Sequence, residues 1–151
     1  MITIQATQGV EHYMIALRRG EYVVESLREW LRVQGIDAGL ITSGIGSLES
    51  CRLHTITDLE SPPGERYIEL DDRPLELASM QGSVAGGEPH LHIVVDDVEN
   101  GTTYVGHLEP GSRCFARLEL GLIAFTGVRT ERRVDPNSGL VDIVAAEDGN
   151  G

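Results

Sequence analysis

One stretch of this chain carries a helical period, and nearly everything else reads as short extended runs cut by turn residues, so its fold must be built mainly on a sheet. In residues 21–34 the apolar side chains Val23, Val24, Leu27, Trp30 and Leu31 recur at three- and four-residue spacings, and Gly35 supplies a natural stop. Arg28, Glu29 and Arg32 fall off that stripe and form the solvated face. Extended runs are expected over residues 12–17, 38–42, 49–57, 66–70, 74–84, 89–95, 102–108 and 113–125, separated by Gly, Pro, Asp or Asn.

Several connections can be read directly. Ser43-Gly44-Ile45-Gly46-Ser47 is expected to be a turn between two strands. It holds only G-x-G, with no third glycine and no P-loop lysine, so no nucleotide is assigned to it. Residues 58–64, with Pro62-Pro63-Gly64, form an exposed loop. Residues 95–102, with Asp96-Asp97, Asn100 and Gly101, form a hairpin connection that sets the runs 89–95 and 102–108 side by side and antiparallel. Beyond Phe125 a turn-rich link over 132–140 leads to a brief apolar stretch at 141–146. Without a repeat or a shift in composition, one domain over residues 1–151 is expected, with its core over about 12–143 and a flexible tail at 144–151.

That hairpin carries the chemistry. In Pro89-His-Leu-His-Ile-Val-Val95 the strand period of two puts His90 and His92 on one face, with Leu91, Ile93 and Val95 on the other. His107 lies on the neighbouring run and can approach the same point, so three nitrogens converge. Three imidazoles with an open fourth position suit a divalent metal, with zinc the favoured ion and other divalent metals also accommodated. The plainer reading keeps His90 and His92 as half-exposed strand residues and His107 as a hydrogen-bonded one. Glu76, a lone carboxylate in the apolar run Leu75-Glu-Leu-Ala78, is a candidate general acid or base, a partner behind a ligand, or half of a salt bridge. His12 and His54 are each alone on their strands and are assigned structural or surface roles.

Charge narrows the partners. The chain has 24 acidic against 12 basic side chains, a formal charge of -12, so its mean field repels polyanions and direct DNA binding is not expected. Cys51 and Cys114 form no C-x-x-C pair, so neither a disulfide framework nor a thiolate zinc site is read. No signal-peptide pattern opens the sequence, and no apolar run approaches the roughly 20 residues of a membrane helix, so a cytoplasmic location away from membranes is expected.

Several segments in order resemble the PPC domain family, also called DUF296. They are Arg18-Arg-Gly-Glu21, Thr42-Ser-Gly-Ile-Gly-Ser-Leu48, Leu75-Glu-Leu-Ala-Ser-Met-Gln-Gly82, Pro89-His-Leu-His92, Gly106-His-Leu108 and Arg133-Val-Asp-Pro-Asn-Ser-Gly-Leu140. The resemblance implies an α+β domain with few helices, a strongly bent, mixed and largely antiparallel sheet similar to that of acetolactate decarboxylase, and assembly as a homotrimer. It also implies zinc ligation by His90, His92 and His107. The family's G-G-H-L stands here as Val105-Gly-His-Leu108, and the Arg-Gly-Arg-Pro core of the AT-hooks fused to plant members is absent. Two functions follow as expectations. One is a trimeric zinc-binding domain with hydrolase or lyase chemistry on a small molecule. The other is a DNA-associated or regulatory assembly module that works through protein partners, with any metal structural.

Overall fold

Along the strands, buried and exposed residues alternate with the period of two that a half-covered sheet requires. The computed structural model describes residues 3–6 and 8–146. Its elements in chain order are β1 (Val10–Arg18), α1 (Val23–Gln34), β2 (Ala38–Ile56), β3 (Glu65–Ala85), β4 (Glu88–Asp97), β5 (Thr102–Leu108), β6 (Arg113–Phe125), β7 (Thr130–Val134) and β8 (Val141–Ala145). Six strands form one sheet in the order β1-β6-β2-β3-β4-β5, and β7 and β8 form a separate ribbon. Every strand pairing among the described residues is antiparallel. The sheet bends so far that β5, at one edge, returns to pair with β2 through Leu53↔Leu108 and His54↔His107. The α+β class with a strongly bent sheet is therefore the fold of this chain.

Helix α1 covers the inner face of this sheet. Val23, Val24, Leu27 and Leu31 are buried on one stripe, facing a core that includes Leu48, Leu53, Leu77, Met80, Ile93, Leu118 and Leu120. Trp30 packs edge-on against Tyr13 of β1, with ring centroids 5.0 Å apart. The helix ends at Gly35, whose φ of 67° lets Ile36 N–H donate back to the Leu31 carbonyl. It begins at Val23 rather than Glu21 because Tyr22 is drawn into a bridge with Arg113.

The expected turn at Ser43–Ser47 does not exist. These residues lie inside the continuous strand β2, held between β3 and β6. Their glycines serve close approach instead of reversal. A Cβ at Gly46 would stand 2.3 Å from the Arg117 carbonyl, and one at Gly44 would meet the Met80 side chain at 2.7 Å. The two runs 66–70 and 74–84 likewise join into β3, kinked at Asp72, which adopts a left-handed φ of 51°. The link over 132–140 is the end of β7 and the turn of the β7–β8 ribbon. Of the tail expected to be flexible, Val144 and Ala145 close β8, and residues 147–151 lie outside the described residues.

The β4–β5 hairpin that carries the histidines is locked at its turn. Asp97 is fully buried and accepts hydrogen bonds from Arg73 Nη1 and Asn100 Nδ2, both at 2.8 Å. Those two donors hold its carboxyl below the ordinary carboxylate range.

A histidine cluster on the outer face of the sheet

The buried residues Leu91, Ile93, Leu53 and Leu108 point into the core, so the strand period turns His90, His92, His54 and His107 to the opposite face. Register then aligns them. His107 on β5 stands directly across from His92 on β4 and directly across from His54 on β2. His90 lies two residues from His92 on the same strand face. The result is a patch of four imidazoles in which the His107 ring sits 4.5 Å from that of His90, 5.6 Å from that of His92 and 4.7 Å from that of His54, centroid to centroid.

Two overlapping triads have donor atoms within 4.8 Å of one another: His90, His92 and His107, and His54, His107 and Glu109. His90 Nε2 and His92 Nε2 are 3.2 Å apart, close to the separation of about 3.3 Å that two nitrogens take on a tetrahedral zinc with bonds of 2.0–2.1 Å. The all-imidazole donor set therefore fits zinc. In the second triad Glu109 Oε1 is 2.6 Å from His54 Nδ1 and 3.9 Å from His107 Nε2.

Two of the imidazoles are held in the neutral form that binds a metal. Burial, helped by the neighbouring His107 and Arg132, pushes His90 down from 6.5 to about 4. Burial and the charge of His54 also lower His107, partly offset by Glu109. Arg132 of β7 adds a cation to the same region, is itself lowered by burial, and has one buried guanidinium nitrogen without a partner. A histidine depressed in the fold binds its proton more readily in the unfolded chain. Stability contributed by neutral His90 is thus present above about pH 6.5 and lost as pH falls towards 4. The metal-free protein should show a falling denaturant midpoint across that window, and His90→Gln should flatten the fall.

Glu76 lies elsewhere. It is exposed on β3, across from Asp96 on β4 and Ser47 on β2, and belongs to neither triad. The carboxylate that the fold brings into a triad with the imidazoles is Glu109, two residues beyond His107. That spacing was readable in the sequence. His54 was not, because its place depends on the return of β5 to β2. Cys51 takes no part, since burial holds its thiol up at about 12.

Close strand approach keeps the patch compact. A Cβ at Gly106 would lie 2.4 Å from the His54 carbonyl and 2.8 Å from Leu53 Cδ1. Gly106→Ala is expected to push β5 off β2, at a cost of roughly 1–3 kcal/mol. A denaturation curve checks this, and an unchanged midpoint would mean that the β2–β5 contact is loose.

A strongly bent antiparallel sheet under one helix, with histidines gathered on its outer face, defines a class of small α+β domains. Residues 4–126 match the Plants and Prokaryotes Conserved (PCC) domain, and the chain belongs to that family, the PPC family of the sequence resemblance. A bifunctional protein GlmU from Synechococcus sp. (strain JA-3-3Ab) is 30% identical over 137 residues, covering 91% of this chain. The chain spans about a fifth of the length of such curated relatives, 21% in that case. Among solved structures, the PPC protein of Pyrococcus horikoshii is 26% identical with a TM-score of 0.73, covering 97% of this chain and 98% of that one. The metal-containing protein AF0104 of Archaeoglobus fulgidus is 25% identical with a TM-score of 0.76, covering 94% and 98%. A protein named "putative DNA binding protein" from Bacteroides thetaiotaomicron shares the fold at 19% identity and a TM-score of 0.72, covering 89% and 91%.

Proposed function

We propose that this chain is a metal-binding assembly module that works through protein partners, with His90, His92 and His107 holding a divalent ion, zinc by preference. The observation that carries the reading is the convergence of three imidazoles from β4 and β5, two of them with Nε2 atoms 3.2 Å apart. The metal-containing relative AF0104 supports it. Exposed apolar side chains on the strands, among them Met14 of β1, Leu40 and Ile45 of β2 and Val105 of β5, offer surface for a homotrimer. The name of the Bacteroides relative favours a role near DNA. With a formal charge of -12, that role runs through partners and not through direct contact with phosphates.

A second reading rests on the fourth coordination position that three ligands leave open. Zinc held by the three histidines would lower the pKa of a bound water to about 7 or polarise a carbonyl, which suits hydrolysis or lyase chemistry on a small molecule. His90, His92 and His107 would hold the ion, and Arg132 would attract an anionic group beside it. Sedimentation at micromolar concentration, combined with titration of duplex DNA at low salt, tests the assembly reading. The expected result is the mass of three chains and no DNA binding. A monomer, or DNA affinity that falls steeply with salt, would overturn it. No helix among the described residues is long and apolar enough to cross a membrane. A cytoplasmic place of action is part of this proposal.

A further inference from the structure

The three-histidine triad leaves one imidazole of the patch, His54, unused. On the other side of His107 stand His54 and Glu109, and neither has a role in the reading above. All three donor atoms of this second triad lie within 4.8 Å of one another. The triad spans β2, β5 and the first residue after β5, so the β2–β5 closure builds it. Its side chains are shielded without being sealed, with exposures of 18% for His54, 20% for His107 and 26% for Glu109. Glu65 adds a second carboxylate at the rim, with Oε1 3.8 Å from His54 Nε2.

Two imidazoles and a carboxylate are a complete donor set for a first-row divalent ion, and the oxygen makes it harder than the all-nitrogen triad. Charge distribution points the same way. Arg132 acts on His90 and His107, whereas Glu109 and Glu65 contact His54. The anionic side chains are therefore concentrated on the His54 side, where a second positive ion would be compensated.

We propose that His54, His107 and Glu109 form a second divalent-metal seat beside the first, with His107 common to both. The proposal rests on the reading in which His107 also serves the three-histidine seat. Filling the second seat replaces the hydrogen bond between His54 and Glu109 by two bonds to the ion. With both seats filled, His107 would be shared between them, and a ring proton displaced from it would pass to solvent.

The test is zinc uptake by metal-free full-length chain, read by equilibrium dialysis and elemental analysis on the wild type, His54→Ala, Glu109→Gln and His92→Ala. Glu109→Gln preserves shape, so it reports on ligation even where His54→Ala disturbs the sheet. Two zinc ions per wild-type chain, one in His54→Ala, one in Glu109→Gln and one in His92→Ala is the expected result. A single ion in the wild type, kept in His54→Ala and Glu109→Gln and lost in His92→Ala, overturns the second seat and leaves the first standing. A single ion lost in all three variants means one shared site and also overturns it. An ion kept in His92→Ala and lost in the other two upholds the second seat and removes the first, while no uptake at all removes both.

Discussion

His107→Ala is expected to abolish stoichiometric zinc binding. Among the described residues, His107 stands across from both His92 and His54, so its loss breaks both triads of ligands. Removing a group that merely orients a metal ligand typically costs 10–100-fold in affinity, and removing a ligand from a set of three should cost more than about 100-fold. Zinc titration against a competing chelator reads this directly. The fold should survive, since His107 lies on the outer face and the core behind it is closed by Leu53 and Leu108. Retention of wild-type affinity by a folded His107→Ala protein would remove His107 from the site.

Leu53→Ala should have the largest effect on stability. Leu53 is fully buried, pairs with Leu108 at the point where β5 returns to β2, and has its Cδ1 against the backbone of Gly106. Truncation there leaves a cavity in a rigid sheet corner and should cost about 2–5 kcal/mol. The denaturant midpoint should fall with little change in the slope, because the surface exposed on unfolding is nearly the same. A loss under about 1 kcal/mol would mean that the closure of β5 on β2 contributes little. Zinc affinity should fall as well, since Leu53 supports the strand segment that presents His54 to His107.

Features set by local chemistry were legible in the sequence. The stripe from Val23 to Leu31 and the glycine after Gln34 define α1 almost to the residue. The Asp96-Asp97 and Asn100-Gly101 pairs mark the hairpin, and with the strand period they align His92 with His107. What failed depended on distant partners. Gly44 and Gly46 look like turn residues in isolation, yet they are glycine because Met80 and the backbone of β6 come too close for a side chain. Residues 132–146 read as a link with a short apolar end because the two strands of the β7–β8 ribbon are only five residues each. His54 gave no local signal, as only the curl of the sheet brings it to His107. Glu109 carries one, the same spacing of two that joins His90 to His92, but it stands one residue past the run 102–108. Glu76, a lone carboxylate in an apolar run, stands on the exposed side of a strand whose other face holds Leu75 and Leu77.

Metal content tests the central claim most directly. Wild-type chain and His92→Ala, both purified without chelator or metal-affinity resin, should be compared by elemental analysis with protein quantified on the same samples. The account predicts at least one zinc ion per wild-type chain and one fewer in the variant. A wild-type protein that carries no metal and takes up none when zinc is supplied, or a His92→Ala protein with unchanged metal, would contradict it.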